Sequence, residues 1–178
     1  MPQTREDHDF DLYSVLDAEE VRGKYEHVDK RLKYFEAKTG GKRLPNRADV
    51  QPSELKDILT EVCLFSVMYD ENDVFVDAVI QLMGTTVASF YGEITGLTVT
   101  EGAAPEVAER ILVSCRQCVE TQRPVYAETA ALSAEKSHLK VGVLYVPLSE
   151  DGERIDRLFL HVKVSLRSSG IVCQPGHN

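Results

Sequence analysis

The 178-residue sequence contains no tryptophan, few cysteines and no apolar run long enough to cross a membrane. A membrane-spanning helix needs about 20 consecutive apolar residues, so we expect none. The first residues are polar and charged, without the apolar core of a secretory signal peptide. These absences predict a cytoplasmic protein whose four cysteines are reduced thiols. A chain of this length can bury an adequate core without disulfides or metal.

Positive charge is also scarce. The chain has 20 lysines and arginines against 29 aspartates and glutamates, which gives a net charge of −9. Proteins that bind nucleic acids usually present a basic face to the phosphates, and anionic membranes attract the same kind of face. We therefore expect neither a nucleic-acid partner nor a membrane partner.

Motifs that would indicate an enzyme or a metal site are missing. The chain has no GxSxG elbow, no HExxH helix and no glycine-rich phosphate loop. Cys115 and Cys118 have CxxC spacing, but they lie within a helical pattern and lack the second ligand pair of a zinc site, so we interpret them as core cysteines. The lone histidines His138 and His161 are predicted at the surface or at a strand edge rather than as ligands. The sequence thus predicts no enzyme, no metal site and no cofactor.

Residues 14–41 predict an amphipathic N-terminal helix, which follows a flexible N-terminus at residues 1–13. The apolar residues recur at alternating spacings of three and four, and Thr39-Gly40-Gly41 is typical of a helix end. Two interpretations are open: the apolar stripe packs on its own domain, or it pairs with the same helix of a second copy. The candidate dimer-helix residues are Val21, Tyr25, Val28, Leu32 and Phe35.

Residues 42–167 predict one α+β domain, followed by a flexible C-terminal tail at 168–178. Alternating apolar and β-branched residues indicate five strands, with helical segments between the second and the third. This order favours a five-stranded antiparallel sheet with helices on one face. The predicted strands cover 62–69, 74–83, 125–133, 139–148 and 156–166, and the longest of the intervening helices begins at Pro105 and stops before Pro124.

Three stretches of the sequence carry a resemblance to a known family. They are Leu44-Pro45-Asn46-Arg47-Ala48-Asp49 with Pro52-Ser53-Glu54-Leu55, Leu82-Met83-Gly84-Thr85 continuing to Tyr91-Gly92 and Thr95-Gly96, and residues 146–156 from Val146-Pro147-Leu148 to Ile155-Asp156. These stretches resemble the short, mostly stand-alone PAS proteins of bacteria, and the order of elements resembles a PAS fold. The resemblance implies a hydrophobic cavity between the sheet and the helices, and a use in sensing or in the control of a partner.

The marks that known PAS cofactors leave are absent from the sequence. No cysteine has the polar context of a flavin-binding photosensor, and residues 105–122 contain no histidine for a haem. If a small apolar or amphipathic ligand binds, the tyrosine hydroxyls are its expected polar contacts. The same residues are equally consistent with a filled core. The candidate ligand-binding residues are Met83, Phe90, Tyr91, Leu97, Ile111, Cys115, Tyr126, Val143 and Tyr145.

The sequence therefore predicts a cytoplasmic regulatory module in signal transduction. We expect it to bind a small ligand, a partner protein or both, and to signal through the geometry of a homodimer, because no effector domain is expected in the same chain. The alternative from another class is a constitutive interaction scaffold with a filled core and no ligand.

Overall fold

Within residues 13–129 and 139–166, which the computed structural model describes, six antiparallel strands form one sheet. Their order across the sheet is β1-β4-β5-β6-β2-β3, so the hairpin β2–β3 lies beside the three successive strands β4, β5 and β6. The strands are β1 Ser14–Asp17, β2 Val62–Tyr69, β3 Phe75–Met83, β4 Val125–Thr129, β5 Leu139–Leu148 and β6 Arg157–Leu166. The helices are α1 Glu26–Thr39, α2 Thr85–Tyr91, α3 Val99–Gly102 and α4 Pro105–Thr121.

The sheet is covered on both faces. Successive side chains of a strand point to opposite faces, and from Val143 to Leu148 both sets of β5 are apolar. Val143 and Tyr145 belong to a core shared with α2, α3 and α4, whereas Leu144 and Val146 belong to a second core shared with α1. The predicted α+β fold with helices on one face is thus confirmed for α2 to α4, and α1 adds a layer on the other face.

The N-terminal segment differs from the predicted helix over 14–41. Ser14–Asp17 is a sixth strand that pairs with β4, and the helix begins only at Glu26. Between them, Ala18–Val21 forms a 3-10 turn that is capped by the Asp17 side chain. The apolar spacing misled because a 3-10 turn followed by a helix buries the same residues as one continuous helix.

The predicted dimer stripe is used by the domain itself. Val21, Val28, Leu32 and Phe35 are buried, and the Phe35 ring packs edge-on against Phe159 of β6 at 5.1 Å. Tyr25 is half-buried and donates a hydrogen bond from its hydroxyl to Glu128. Of the two open interpretations, the helix packs on its own domain, so these residues are not a free dimer surface. Homodimer formation itself stays a prediction.

Three predictions fall wholly or partly outside the described residues. These are the flexible N-terminus, of which only Tyr13 is described, the flexible tail at 168–178, and the end of the strand predicted over 125–133. None of the described helices is long and apolar enough to cross a membrane.

The connection from β3 to α2 depends on the absence of a side chain at Gly84. A Cβ atom there would collide with the backbone carbonyl of Thr60, in the 3-10 turn that precedes β2. The φ angle of Gly84 is −63°, which any residue can adopt, so close approach rather than backbone conformation requires the glycine. This contact fixes where α2 begins over the sheet.

Candidate functional site

Two small adjoining cavities lie between the sheet and the helices α2 and α4. Their volumes are about 30 and 40 Å³, and they share Tyr91, Ile111, Val143 and Tyr145. A buried water needs about 10–15 Å³ by this measure, so each cavity has room for two or three waters or a few ligand atoms. Larger ligands would require the helices to move away from the sheet.

Both cavities have mostly apolar walls, because the inward residues of five strands meet one face of α4 and α2 there. The first is also lined by Tyr13, Val107, Arg110, Ala127, Thr129 and Val141. The second is also lined by Cys63, Phe65, Ile80, Met83, Val87, Ile94, Leu160 and Val162.

The structure brings five of the nine predicted ligand-binding residues to these cavities, namely Met83, Tyr91, Ile111, Val143 and Tyr145. The other four do not line them. Phe90 packs against the same core, and Cys115 is buried within it. Leu97 is 40% exposed, because its carbonyl pairs with the amide of Ile80 at the edge of β3 and its side chain is left at the surface.

Tyr126 lies on the opposite face of the sheet, so its predicted place in this cavity is wrong. In β4 the inward residues are Val125 and Ala127, and the residue between them must face α1. There the Tyr126 hydroxyl donates to Glu128, and the ring packs on Tyr25 at 5.1 Å.

A polar group that was not predicted from the sequence lies at one end of the first cavity. The hydroxyl of Tyr13 donates to the carbonyl oxygen of Arg110 at 2.5 Å and also hydrogen-bonds the hydroxyl of Ser114. The Ser114 oxygen also lies 3.1 Å from that carbonyl oxygen, and its single hydrogen goes either there or to the Tyr13 oxygen. The Arg110 guanidinium lies 5.9 Å from the centre of the Tyr13 ring and donates to Thr129. The four-residue spacing of Arg110 and Ser114 on α4 was visible in the sequence, but nothing local pointed to Tyr13.

Burial keeps the acidic groups around the cavities protonated. It raises the pKa of the phenols of Tyr13, Tyr91 and Tyr145 above their ordinary value. It also raises the pKa of the Cys63 thiol to about 12. At neutral pH these groups are hydrogen-bonding alcohols and thiols rather than bases or nucleophiles.

The three described cysteines are core thiols, as predicted for Cys115 and Cys118. Cys63, Cys115 and Cys118 are free and buried, and burial raises the pKa of each thiol. The CxxC pair faces the inner core from α4, with the Cys118 thiol 3.8 Å from the carbonyl of Tyr145. Cys173 lies outside the described residues.

His161 is buried, which contradicts the predicted surface or edge position. It is 1% exposed, and its Nε2 lies 3.0 Å from a carboxylate oxygen of Glu61. The prediction failed because α1 covers the face of β6 that was expected to meet solvent. Among the described residues, no group of three histidine, cysteine or carboxylate side chains could hold a metal ion. His138 lies outside the described residues.

A family model described as the PAS domain matches residues 25–160. This chain belongs to the PAS domain family. The match takes in α1, strands β2 to β5 and the start of β6, whereas β1 and Tyr13 precede it. No curated protein and no solved structure matches the chain. Membership makes the protein a sensory or regulatory module in the general sense, and it leaves the narrower resemblance to bacterial stand-alone PAS proteins as a resemblance.

Proposed function

We propose that this PAS module regulates signal transduction by holding a small apolar or amphipathic ligand in the two cavities beneath α2 and α4, without catalysis and without a cofactor. The observation that carries the proposal is the pair of cavities that share Tyr91, Ile111, Val143 and Tyr145, with apolar walls and one polar end. Pockets for small ligands have this composition.

A route from ligand to output runs through β5. Val143 and Tyr145 line the cavities, while Leu144 and Val146, which alternate with them, pack in the core under α1. A ligand that spreads the helices from the sheet favours one packing of β5 over another, and α1 follows that choice as a population shift. A signalling partner protein or a second copy of the chain then binds according to the position of α1 on the protein surface. Since the apolar stripe of α1 is buried, a homodimer in this proposal uses other surfaces.

The absence of catalysis in this proposal is supported by the protonation of the cavity groups. A general base needs a pKa near the working pH, and burial moves the pKa of Tyr91, Tyr145 and Cys63 further from neutrality.

A constitutive interaction module is the second candidate. The small volume of the two cavities favours it, and so does a larger groove of about 440 Å³ on the opposite face of the sheet. That groove has an apolar floor that includes Leu32, Phe35 and Val146. The charges at its rim are paired, as Arg123 is with Asp17 and Arg43 with Asp49.

Native mass spectrometry of the freshly purified protein separates the two candidates. The proposal predicts additional mass that disappears on denaturation. This mass should be absent from Val143→Phe, whose larger side chain occupies the space next to the wall that both cavities share. Val113→Phe, at an exposed position of α4, is the matched control and should retain the mass. Additional mass retained by Val143→Phe would place the ligand elsewhere and contradict the proposal.

A further inference from the structure

Tyr13 occupies the polar end of the first cavity with its own side chain. Its ring forms part of the cavity wall, and its hydroxyl forms hydrogen bonds with the carbonyl oxygen of Arg110 and with the hydroxyl of Ser114. All other lining residues of that cavity come from α2, α4, β4 and β5 or from positions next to them. A single side chain from the N-terminal segment therefore fills a position that the PAS domain provides.

The element that brings Tyr13 there is short. β1 has four residues, lies at the edge of the sheet and pairs with β4. It also precedes the residues that match the PAS domain family. Edge elements of this kind open locally at much lower free energy than the central strands. Tyr13 can therefore leave its position without unfolding of the domain.

We infer that Tyr13 acts as an internal ligand, and that the cavity accepts a small phenol whose ring and hydroxyl replace those of Tyr13 and thereby release β1. This inference rests on the proposed function and adds a ligand class and a mode of regulation to the same cavity.

The chemistry of the polar end selects a hydroxyl group. The carbonyl oxygen of Arg110 lies within α4 and accepts the Tyr13 hydroxyl as an additional donor. A ligand with a hydroxyl reproduces this hydrogen bond, whereas a hydrocarbon forgoes it and a carboxylate places a second acceptor against the carbonyl. The Ser114 hydroxyl can donate or accept and so completes the contact with a phenol. The guanidinium of Arg110, placed over the Tyr13 ring, interacts equally well with another aromatic ring.

Tyr13 competes with such a ligand because it is tethered. A side chain on a short tether acts at an effective concentration on the order of millimolar. The apparent affinity of the intact protein for a phenol is therefore reduced by the fraction of molecules in which Tyr13 is docked. Removing the ring removes the competitor and leaves the site.

The test is titration of the full chain with p-cresol, which is the tyrosine side chain without its backbone, and with toluene, which lacks the hydroxyl. On Tyr13→Ala we expect p-cresol to bind at least about tenfold more tightly than on the wild type. On that variant p-cresol should bind about three- to tenfold more tightly than toluene, the range of one neutral hydrogen bond. Equal affinities of the wild type and the variant, or of the two compounds on the variant, would overturn the inference.

Tyr13→Phe is the control for a folding defect in the alanine variant. It keeps the ring in place and removes only the hydroxyl, so its affinity for p-cresol should lie between those of the wild type and Tyr13→Ala. Hydrogen exchange of the wild type tests whether the ligand displaces β1. Saturating p-cresol should speed exchange of the β1 amides and leave the amides of α4 protected. Protection of β1 that is unchanged at saturation would overturn the displacement of the strand.

Failure of this inference is distinguishable from failure of the proposed function. If p-cresol and toluene bind Tyr13→Ala equally while the purified wild type carries another ligand that Val143→Phe lacks, the inference is wrong and the proposed function stands. If p-cresol binds Tyr13→Ala as expected and the additional mass of the wild type persists in Val143→Phe, the internal ligand stands and the proposed function is wrong.

Discussion

The imidazole rings of His27 and His161 meet edge to face between α1 and the sheet, with their centroids 5.5 Å apart. His161 also contacts Glu61, whose second oxygen lies 3.4 Å from the ammonium group of Lys163. Arg31, one turn after His27 on α1, is buried beside them. Within residues 13–129 and 139–166, no hydrogen-bond partner is present for Nε2 of His27 or Nδ1 of His161.

Because both histidines are buried, we expect the free energy of unfolding to fall in acid. Burial lowers the pKa of His27 to about 4 and also lowers the pKa of His161, although the hydrogen bond that His161 donates to Glu61 acts in the opposite direction. A histidine in the unfolded chain titrates near 6.5, so its unfolded state binds more protons as the pH falls below that value. The free energy of unfolding therefore keeps the full contribution of the neutral imidazoles above about pH 6.5 and loses it as the pH falls towards about 4.

Denaturant unfolding of the wild type and of His27→Gln at pH 7.5, 6 and 5 measures this contribution. The variant should lose less free energy of unfolding on acidification, by roughly 1–2 kcal/mol because the ring is partly screened by solvent. Lys30→Gln, at an exposed position of the same helix, is the control. Parallel pH profiles of His27→Gln and the wild type would show that His27 does not contribute.

Changes to the α1 stripe should unfold the protein rather than dissociate a dimer. Leu32 is 4% exposed in the core beneath α1, so Leu32→Ala should lower the free energy of unfolding by about 2–5 kcal/mol. Lys33→Ala, at the exposed neighbouring position, should have little effect. Urea unfolding and size-exclusion chromatography together decide the matter. A Leu32→Glu variant that stays folded and only becomes smaller would restore the dimer-helix interpretation.

Gly84→Ala should destabilise the protein by steric overlap alone. Its Cβ atom has no room beside the Thr60 carbonyl, and backbone shifts of this kind cost about 1–3 kcal/mol. Gly40→Ala provides the comparison, because Gly40 has a positive φ of 62° but open space around it. Its cost should be about 1 kcal/mol, from backbone conformation only. Thermal unfolding in which Gly84→Ala is the milder variant would contradict the close contact.

The buried thiols should be unreactive in the folded protein. Burial raises the pKa of Cys63, Cys115 and Cys118, so few thiolates form at pH 8 and reagent access is blocked. Labelling with a chromogenic disulfide should modify at most one thiol in the native state and all four in guanidinium chloride. Rapid native labelling of two or more thiols would mean that at least one of these buried cysteines is accessible and reactive.

Local sequence signals were sufficient for the central part of the fold. The strand predicted over 62–69 is β2 Val62–Tyr69, and the one predicted over 139–148 is β5 Leu139–Leu148. The predicted start of the long helix at Pro105 is also correct. Alternating apolar residues and a proline at the first helical turn are properties of neighbouring residues, so one sequence suffices to read them.

Contacts between distant segments could not be predicted in the same way. The strand β1 exists because it pairs with β4, and His161 is buried because α1 lies across β6. The polar end of the cavity joins Tyr13 to Ser114, which are far apart in the sequence. These relationships depend on which distant segments pack together in the folded chain, and no spacing within a single segment encodes them.

Ligand-induced stabilisation of the wild type, compared with Val143→Phe and Val113→Phe, tests the central claim most directly. A set of small apolar and amphipathic compounds is added at saturating concentration, and the thermal midpoint of each protein is measured. A ligand that binds only the native state must raise this midpoint. We predict that at least one compound raises it in the wild type and in Val113→Phe but not in Val143→Phe. Equal shifts in all three proteins, or no shift in any of them, would contradict a ligand site between the sheet and the helices α2 and α4.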